Sequence, residues 1–250
     1  MEILLFLLFM RTSVKILNIL DKFKAGYVFT YDELGFEPEK TNAVIIALNR
    51  MVKEGKIQKL SKGKYYKPQI TEFGELKPDT YQVVKDLLQK NGKVIGYLTG
   101  YSVFNSLFLT TQVSNTIQIG CNNEKKAITR GMYKIRFIKQ PNRITEDNIP
   151  ILQILDCIRF IKIIPDTNQN QSCKRFIAII KELSPEKLSK LKKLVLKYNA
   201  ATKALTGAII DMIVPDNETQ MIFESLNPAT SYDFSISEQI LPTKNKWRIR

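Results

Sequence analysis

No histidine occurs anywhere in the 250 residues. That excludes His-dependent triads and dyads, imidazole general bases and the usual His zinc ligands. Cysteine is scarce as well: Cys121, Cys157 and Cys173 are odd in number, far apart and without a C-x-x-C spacing. They read as reduced thiols that fill the core of a cytoplasmic protein, and neither a disulfide framework nor a metal site is expected. A long apolar run is also missing. The opening MEILLFLLFM holds about eight apolar residues in a row, too few to span a bilayer. Glu2 stands where a signal peptide carries positive charge, and no small-residue cleavage site follows. Residues 1–9 read either as a mis-assigned start ahead of Met10 or as an added turn packed on the body. No internal repeat and no low-complexity tract is present.

The motifs of common enzymes are missing too. There is no G-x-x-x-x-G-K-(S/T) loop for phosphates and no G-x-S-x-G elbow for a nucleophile. The Gly-Ser and paired aspartates of a nucleotidyltransferase are absent. A metal-dependent nuclease of the PD-(D/E)-x-K kind is the closest catalytic alternative, since three Pro-Asp pairs occur, at Pro78–Asp79, Pro165–Asp166 and Pro215–Asp216. Only the first has an acidic-x-Lys downstream, at Glu124–Lys126, and the separation is too wide. Those aspartates read as turn and cap residues after proline. No catalytic residue, cofactor or metal is expected.

What the chain does have is positive charge. Thirty-eight Lys and Arg against 24 Asp and Glu give +14, which points to an acidic partner, nucleic acid being the commonest, against the alternative of a basic surface that only aids solubility.

The apolar pattern then supplies an order of elements. TSVKILNILDKFK (12–24) places Val14, Ile16, Leu17 and Leu20 on one helical face, and YVFT reads as a short strand. TYDE forms a capping box, in which Thr30 accepts the Glu33 N–H while Glu33 reaches back. A helix from about Glu39 to Glu54 turns Val44, Ala47, Leu48, Met51 and Val52 inward, and Gly55 suits its left-handed C-terminus. KIQKL and KYYKP pair around SKG as a hairpin. Helix, strand, helix, helix, two-stranded ribbon is the order of a winged helix-turn-helix, over residues 10–70. The polar QITEFGELKPD marks a boundary near residue 70. Beyond it, 71–145 reads as an α/β layer, with YSVFNSLF as a helix and SNTIQIGC and MYKIRFIK as strands. Residues 146–250 read as mainly helical, with FSISEQI and KWRIR returning as edge strands. The expected fold is therefore α+β: an N-terminal winged helix-turn-helix, then a larger mixed α/β to mainly helical C-terminal domain.

In that arrangement the second helix enters the major groove, so its outward residues must form hydrogen bonds or meet methyl groups. The outward face carries Lys40, Thr41, Asn42, Ile45, Asn49 and Lys53. Thr41 and Asn42, at the helix start, are the expected base readers. Asn49 and Lys53 fall nearer the sugar–phosphate backbone, and Arg50 either contacts phosphate or covers the core with its stem. On the hairpin, Lys59, Lys62 and Lys64 reach for phosphates or the minor groove, with Tyr65 adding a hydroxyl. The alternative for these lysines is a solvated edge ribbon. In TGYSVFN, Thr99, Tyr101 and Asn105 either converge on a ligand or cap a helix. The run KLSKLKKLVLK either extends the basic footprint or is a solvated helix face.

Several stretches resemble one known family. GYVFTYDEL, AVIIALNRMVKEGKIQKLSKGKYYKP and FGELKP are similar to the N-terminal winged helix of AbiE-type antitoxins (AbiEi), transcriptional regulators of type IV toxin–antitoxin pairs. Gly100, Asn105, Leu107, Leu109, Thr110, Thr111 and Gln112 match that family's G-x-x-x-x-N-x-L-x-L-(S/T)-T-Q segment, and KYNAATKALTGAIIDMI and SLNPATSYDFSI resemble its C-terminal helices and LNPxTxY stretch. The likeness covers most of the chain from Met10. It departs at Phe108, where the family pattern leads one to expect glycine. The resemblance implies two jobs: binding double-stranded operator DNA to repress its own operon, and counteracting a cognate nucleotidyltransferase-like toxin, without need of a stable complex. The alternative from the residues alone is a stand-alone winged-helix regulator whose second domain senses a small molecule.

Overall fold

The period change at Gly55 is realised as a helix that feeds a hairpin. The computed structural model describes residues 12–214 and 218–250, so the expectation for residues 1–9 lies outside them. Residues 12–20 form helix α1, which buries Ile16 and Leu20. Val14, expected on the same face, is instead 52% exposed, because a 3.6-residue period carries position 14 away from 16 and 20. Strand β1 is Val28–Thr30, followed by a 3₁₀ turn at Asp32–Leu34 that Gly35 ends in the left-handed conformation. Half of the expected capping box forms. The Thr30 N–H donates to Glu33 Oε1 at 3.2 Å, but no side chain caps the turn. The 3₁₀ turn begins at Asp32, so Tyr31 and not Thr30 takes the N-cap position.

A second 3₁₀ turn, Pro38–Lys40, leads into α2, Thr41–Lys53. The helix expected from Glu39 therefore starts two residues later. Val44, Ala47, Leu48 and Met51 are buried, and Gly55 follows with φ +73. Strands β2 (Gln58–Ser61) and β3 (Lys64–Tyr66) then pair antiparallel around Lys62 and Gly63, the latter at φ +72. The sheet order is β1-β3-β2, with Val28 opposite Tyr66 and Phe29 opposite Tyr65. Ile16, Phe29, Val44, Leu48, Ile57 and Tyr65 share the core beneath. The polar segment near residue 70 folds as a hairpin, β4 (Gln69–Thr71) to β5 (Gly74–Leu76). This first compact unit runs on to Lys85 and takes in Thr129–Met132.

The second unit holds the remainder, Asp86–Ile128 and Tyr133–Arg250. Helix α3 (Thr80–Leu88), which runs into it, is followed by a two-strand hairpin, β6 (Gln89–Lys90) and β7 (Lys93–Val94), turned by Asn91 and Gly92 at φ +50 and +71. Asn-Gly in that position is the sequence signal for such a turn. Strands β8 (Tyr97–Thr99) and β9 (Thr116–Cys121) pair antiparallel. After β10 (Ile128–Arg130), strand β11 (Tyr133–Lys139) runs parallel to β9, with Ile135 opposite Ile117.

YSVFNSLF does not form the expected helix. Gly100–Ser102 is a single 3₁₀ turn, and the segment continues as turns in which Ser106 Oγ donates to the Val103 carbonyl and Asn105 Nδ2 to the Thr110 carbonyl. Short polar side chains that bond nearby carbonyls compete with a helix ladder. Helices α4 (Ile149–Arg159), α5 (Gln169–Lys181), α6 (Pro185–Val195), α7 (Ala200–Ile213) and α8 (Gln220–Glu224) complete the unit. Ser184 accepts the Lys187 N–H ahead of Pro185 at the first helical position. The terminal segment returns through one bridge, Tyr232 with Ile249, rather than through strands. The small residues of α7 allow close packing: a Cβ on Gly207 would lie 2.2 Å from the buried Trp247 ring. The architecture is α+β. Among the described residues no helix is long and apolar enough to cross a membrane.

Candidate nucleic-acid interface

Helix α2 presents a single outward row. Asn42, Ile46, Asn49 and Lys53, at spacings of four, three and four, are exposed, while Val44, Ala47, Leu48 and Met51 face the core. Ile46 is 58% exposed and Ile45 only half-buried to the side, so the apolar member of the row is Ile46 and not the expected Ile45. The signal was in the sequence, because position 46 stands four residues from Asn42 and three from Asn49. Thr41 is half-buried as the first helical residue, and Lys40 sits on the preceding 3₁₀ turn, paired with Glu37 at 3.1 Å.

Two further cations are tied down. Arg50 Nε lies 2.8 Å from Glu54, and Lys56 Nζ lies 2.9 Å from the other oxygen of the same carboxylate. The hydrogen bonds from Lys56 and then Arg50 hold the Glu54 carboxyl below its ordinary range. Exposed pairs of this kind are worth little and yield to a phosphate.

Lys53, Lys59 and Lys62 have no ion-pair partner among the described residues. Lys59 and Lys62 are exposed on β2 and its turn, and Lys64 is half-buried on β3. Tyr65 is 3% exposed. It belongs to the core, against the expectation of a surface contact, because β3 is the central strand and position 65 faces α2. Its hydroxyl donates to Asn49 Oδ1 at 3.5 Å, which ties the hairpin to the helix, and burial raises its phenol above the ordinary value.

A family profile matches residues 15–188. The chain belongs to DUF6088, a family of unknown function. No curated protein matches the chain. Among solved structures, the crystal structure of the RV2827C protein from Mycobacterium tuberculosis superposes with a TM-score of 0.55 at 12% identity, over 88% of this chain and 83% of that one. At that identity the likeness is one of fold alone.

The second unit of this DUF6088 chain holds a buried polar network that sequence reading missed. Asp156, on α4 and 1% exposed, accepts hydrogen bonds from the hydroxyls of Tyr97 (2.6 Å), Thr99 (2.6 Å) and Tyr198 (2.8 Å). Gln140 Nε2 donates to both tyrosine oxygens at 2.8 Å, and Asn142 donates to Gln140 Oε1. Burial drives the Asp156 carboxyl up from its ordinary value, against the three hydroxyl bonds that lower it. Every donor is directed at a partner, as in a network that fixes a packing arrangement.

Thr99, Tyr101 and Asn105 do not converge. Thr99 turns inward to Asp156, Asn105 ties its own loop, and Tyr101 lines a surface cleft with Arg136 and Gln112. Phe108 adopts φ +57, the left-handed conformation that glycine takes without strain. The three cysteines are free and buried, and burial pushes the Cys173 thiol up to about 12. Asp79 accepts the Gln82 N–H at 2.9 Å at the start of α3, a capping role.

Proposed function

We propose that the first unit is a winged helix-turn-helix that binds double-stranded operator DNA, with α2 in the major groove and the β2–β3 hairpin on the backbone. The observation that carries this reading is the outward row Asn42, Ile46, Asn49 and Lys53 beside a hairpin that exposes Lys59 and Lys62, neither with an ion-pair partner among the described residues. Asparagine pairs bidentately with adenine, an exposed isoleucine suits a thymine methyl, and lysines at a turn meet phosphate without burial. The net charge of +14 favours the same partner. The AbiE-type resemblance extends the proposal. The protein represses its own operon and, through its larger C-terminal part, counteracts a nucleotidyltransferase-like toxin in the cytoplasm, with no catalytic step of its own.

The test joins two assays. Fluorescence anisotropy with the DNA upstream of the gene is expected to show Asn42→Ala losing about 1–3 kcal/mol of affinity with reduced selectivity. Lys62→Ala should weaken all sequences alike and reduce the salt slope by about one. Growth after induction of the adjacent candidate toxin should be restored by the full chain and equally by the Asn42→Ala variant. Identical behaviour of the two variants on DNA refutes the division between helix and hairpin. Failure of the full chain to rescue growth from a toxic neighbour refutes the antitoxin half.

A further inference from the structure

The second unit contains a cleft whose lining residues all lie outside the helix and hairpin proposed to meet DNA. Its volume is about 320 Å³. It is built where the end of α4 meets the start of α7 and the chain after Pro228, so that the two C-terminal runs KYNAATKALTG and LNPATSYDF come together on it. We propose that this cleft binds a small aromatic phosphate of mononucleotide size.

Charge and rings alternate around it. Arg159 and Lys162 are exposed on one wall, and Arg159 has no ion-pair partner among the described residues. The Arg159 guanidinium sits 5.5 Å from the Phe160 ring centre and the Lys162 ammonium 5.5 Å from that of Phe234, so each cation is held over an aromatic face. Lys162 also lies 3.6 Å from Asp233, whose side chain is 85% exposed and therefore well hydrated. A weak exposed pair of this kind gives way to a doubly charged anion.

The first turn of α7 supplies backbone N–H groups. Asn199 caps one of them, that of Thr202, and the 14-residue helix leaves its positive end at the cleft. Tyr232, 6% exposed, forms part of the cleft wall, with its hydroxyl shielded from solvent behind that wall.

Size decides the class. The volume is at the low end of small-molecule sites, enough for a ring and one charged group and far too small for a duplex or a folded partner. Two cations and a helix N-terminus suit a dianionic phosphate, and the half-buried Phe160 suits a flat base.

Calorimetric titration of the full chain with adenosine and uridine 5′-monophosphates tests this, with inorganic phosphate and uridine as controls. A mononucleotide should bind saturably, one per chain, with phosphate and nucleoside each at least about tenfold weaker. Arg159→Ala, a surface change, should lose about tenfold or more in affinity while the melting temperature holds. Absence of saturable binding at about 5 mM, or binding indifferent to Arg159→Ala, overturns the proposal. So does phosphate binding as tightly as the nucleotides, or a short single-stranded RNA binding more tightly than either at the same arginine. None of these readouts depends on operator binding.

Discussion

Replacing Ile46 with alanine separates a base-reading role from a structural one. The substitution removes three carbons, worth about 0.8 kcal/mol each when fully buried. Ile46 is 58% exposed, so closing the remaining surface against a thymine methyl is worth about 1.4 kcal/mol, or about tenfold in affinity. The portion already covered contributes about 1 kcal/mol to folding, and the better helix propensity of alanine returns nearly half. Folded stability should therefore fall by only about 0.5 kcal/mol, while operator affinity falls by more than twice that. The assay is anisotropy on the upstream DNA, paired with a thermal melt of each variant. A double-mutant cycle sharpens it. Replacing the contacted thymines with deoxyuracil removes the methyl groups and should erase the difference in affinity between the parent protein and Ile46→Ala. If Ile46→Ala binds like the parent, Ile46 meets no thymine methyl and the reasoning fails.

Three further outcomes follow from the packing. Asp156→Ala leaves the hydroxyls of Tyr97, Thr99 and Tyr198 without their acceptor and should cost at least about 3 kcal/mol in a denaturant titration; a loss below about 1 kcal/mol would show that the network is not structural. Two carboxylates should respond to pH with opposite sign. Burial raises Asp156, so its contribution to stability is fullest below the unfolded carboxylate value of about 4 and is lost as pH rises through its folded value. Burial also acts to raise Asp211, but bonds from Lys246, Thr219 and Trp247 outweigh it and hold that carboxyl below its ordinary range. Its contribution is present above about pH 4 and is lost as pH falls through the folded value, so Asp211→Asn should melt lower at pH 7 and show a shallower acid loss than the parent. Phe108→Gly relieves a left-handed residue whose ring is 77% exposed, and should raise stability by up to about 1 kcal/mol, less the contact with Arg175; a thermal melt that falls by several degrees contradicts the strain argument.

Local chemistry made much of the first unit readable in one dimension. The period of Val44, Ala47, Leu48 and Met51 requires a helix, Gly55 and Gly63 supply positive φ where a helix ends and a hairpin turns, and the lysines follow at fixed offsets. The same argument reached β9 and β11, because each depends on residues within a few positions of one another. It failed where a choice between near-equal local states was made elsewhere. YSVFNSLF has helical spacing, yet its polar side chains bond their own loop. Tyr65 and Tyr66 are indistinguishable as neighbours, and only the place of β3 at the centre of its sheet buries both. Ile46 in place of Ile45 is no such case, because the spacing from Asn42 and Asn49 alone puts position 46 in the outward row. Composition and period by themselves determined an α+β chain with a basic helix–hairpin near its start and no histidine chemistry. The tertiary structure alone assembled Tyr97, Thr99, Gln140, Asp156 and Tyr198 into one network, whose bonds from Asp156 join residues 42 to 59 positions apart. It likewise brought Arg159, Lys162 and Tyr232 to one cleft, since contacts between residues so distant in the chain leave no periodic trace in the sequence.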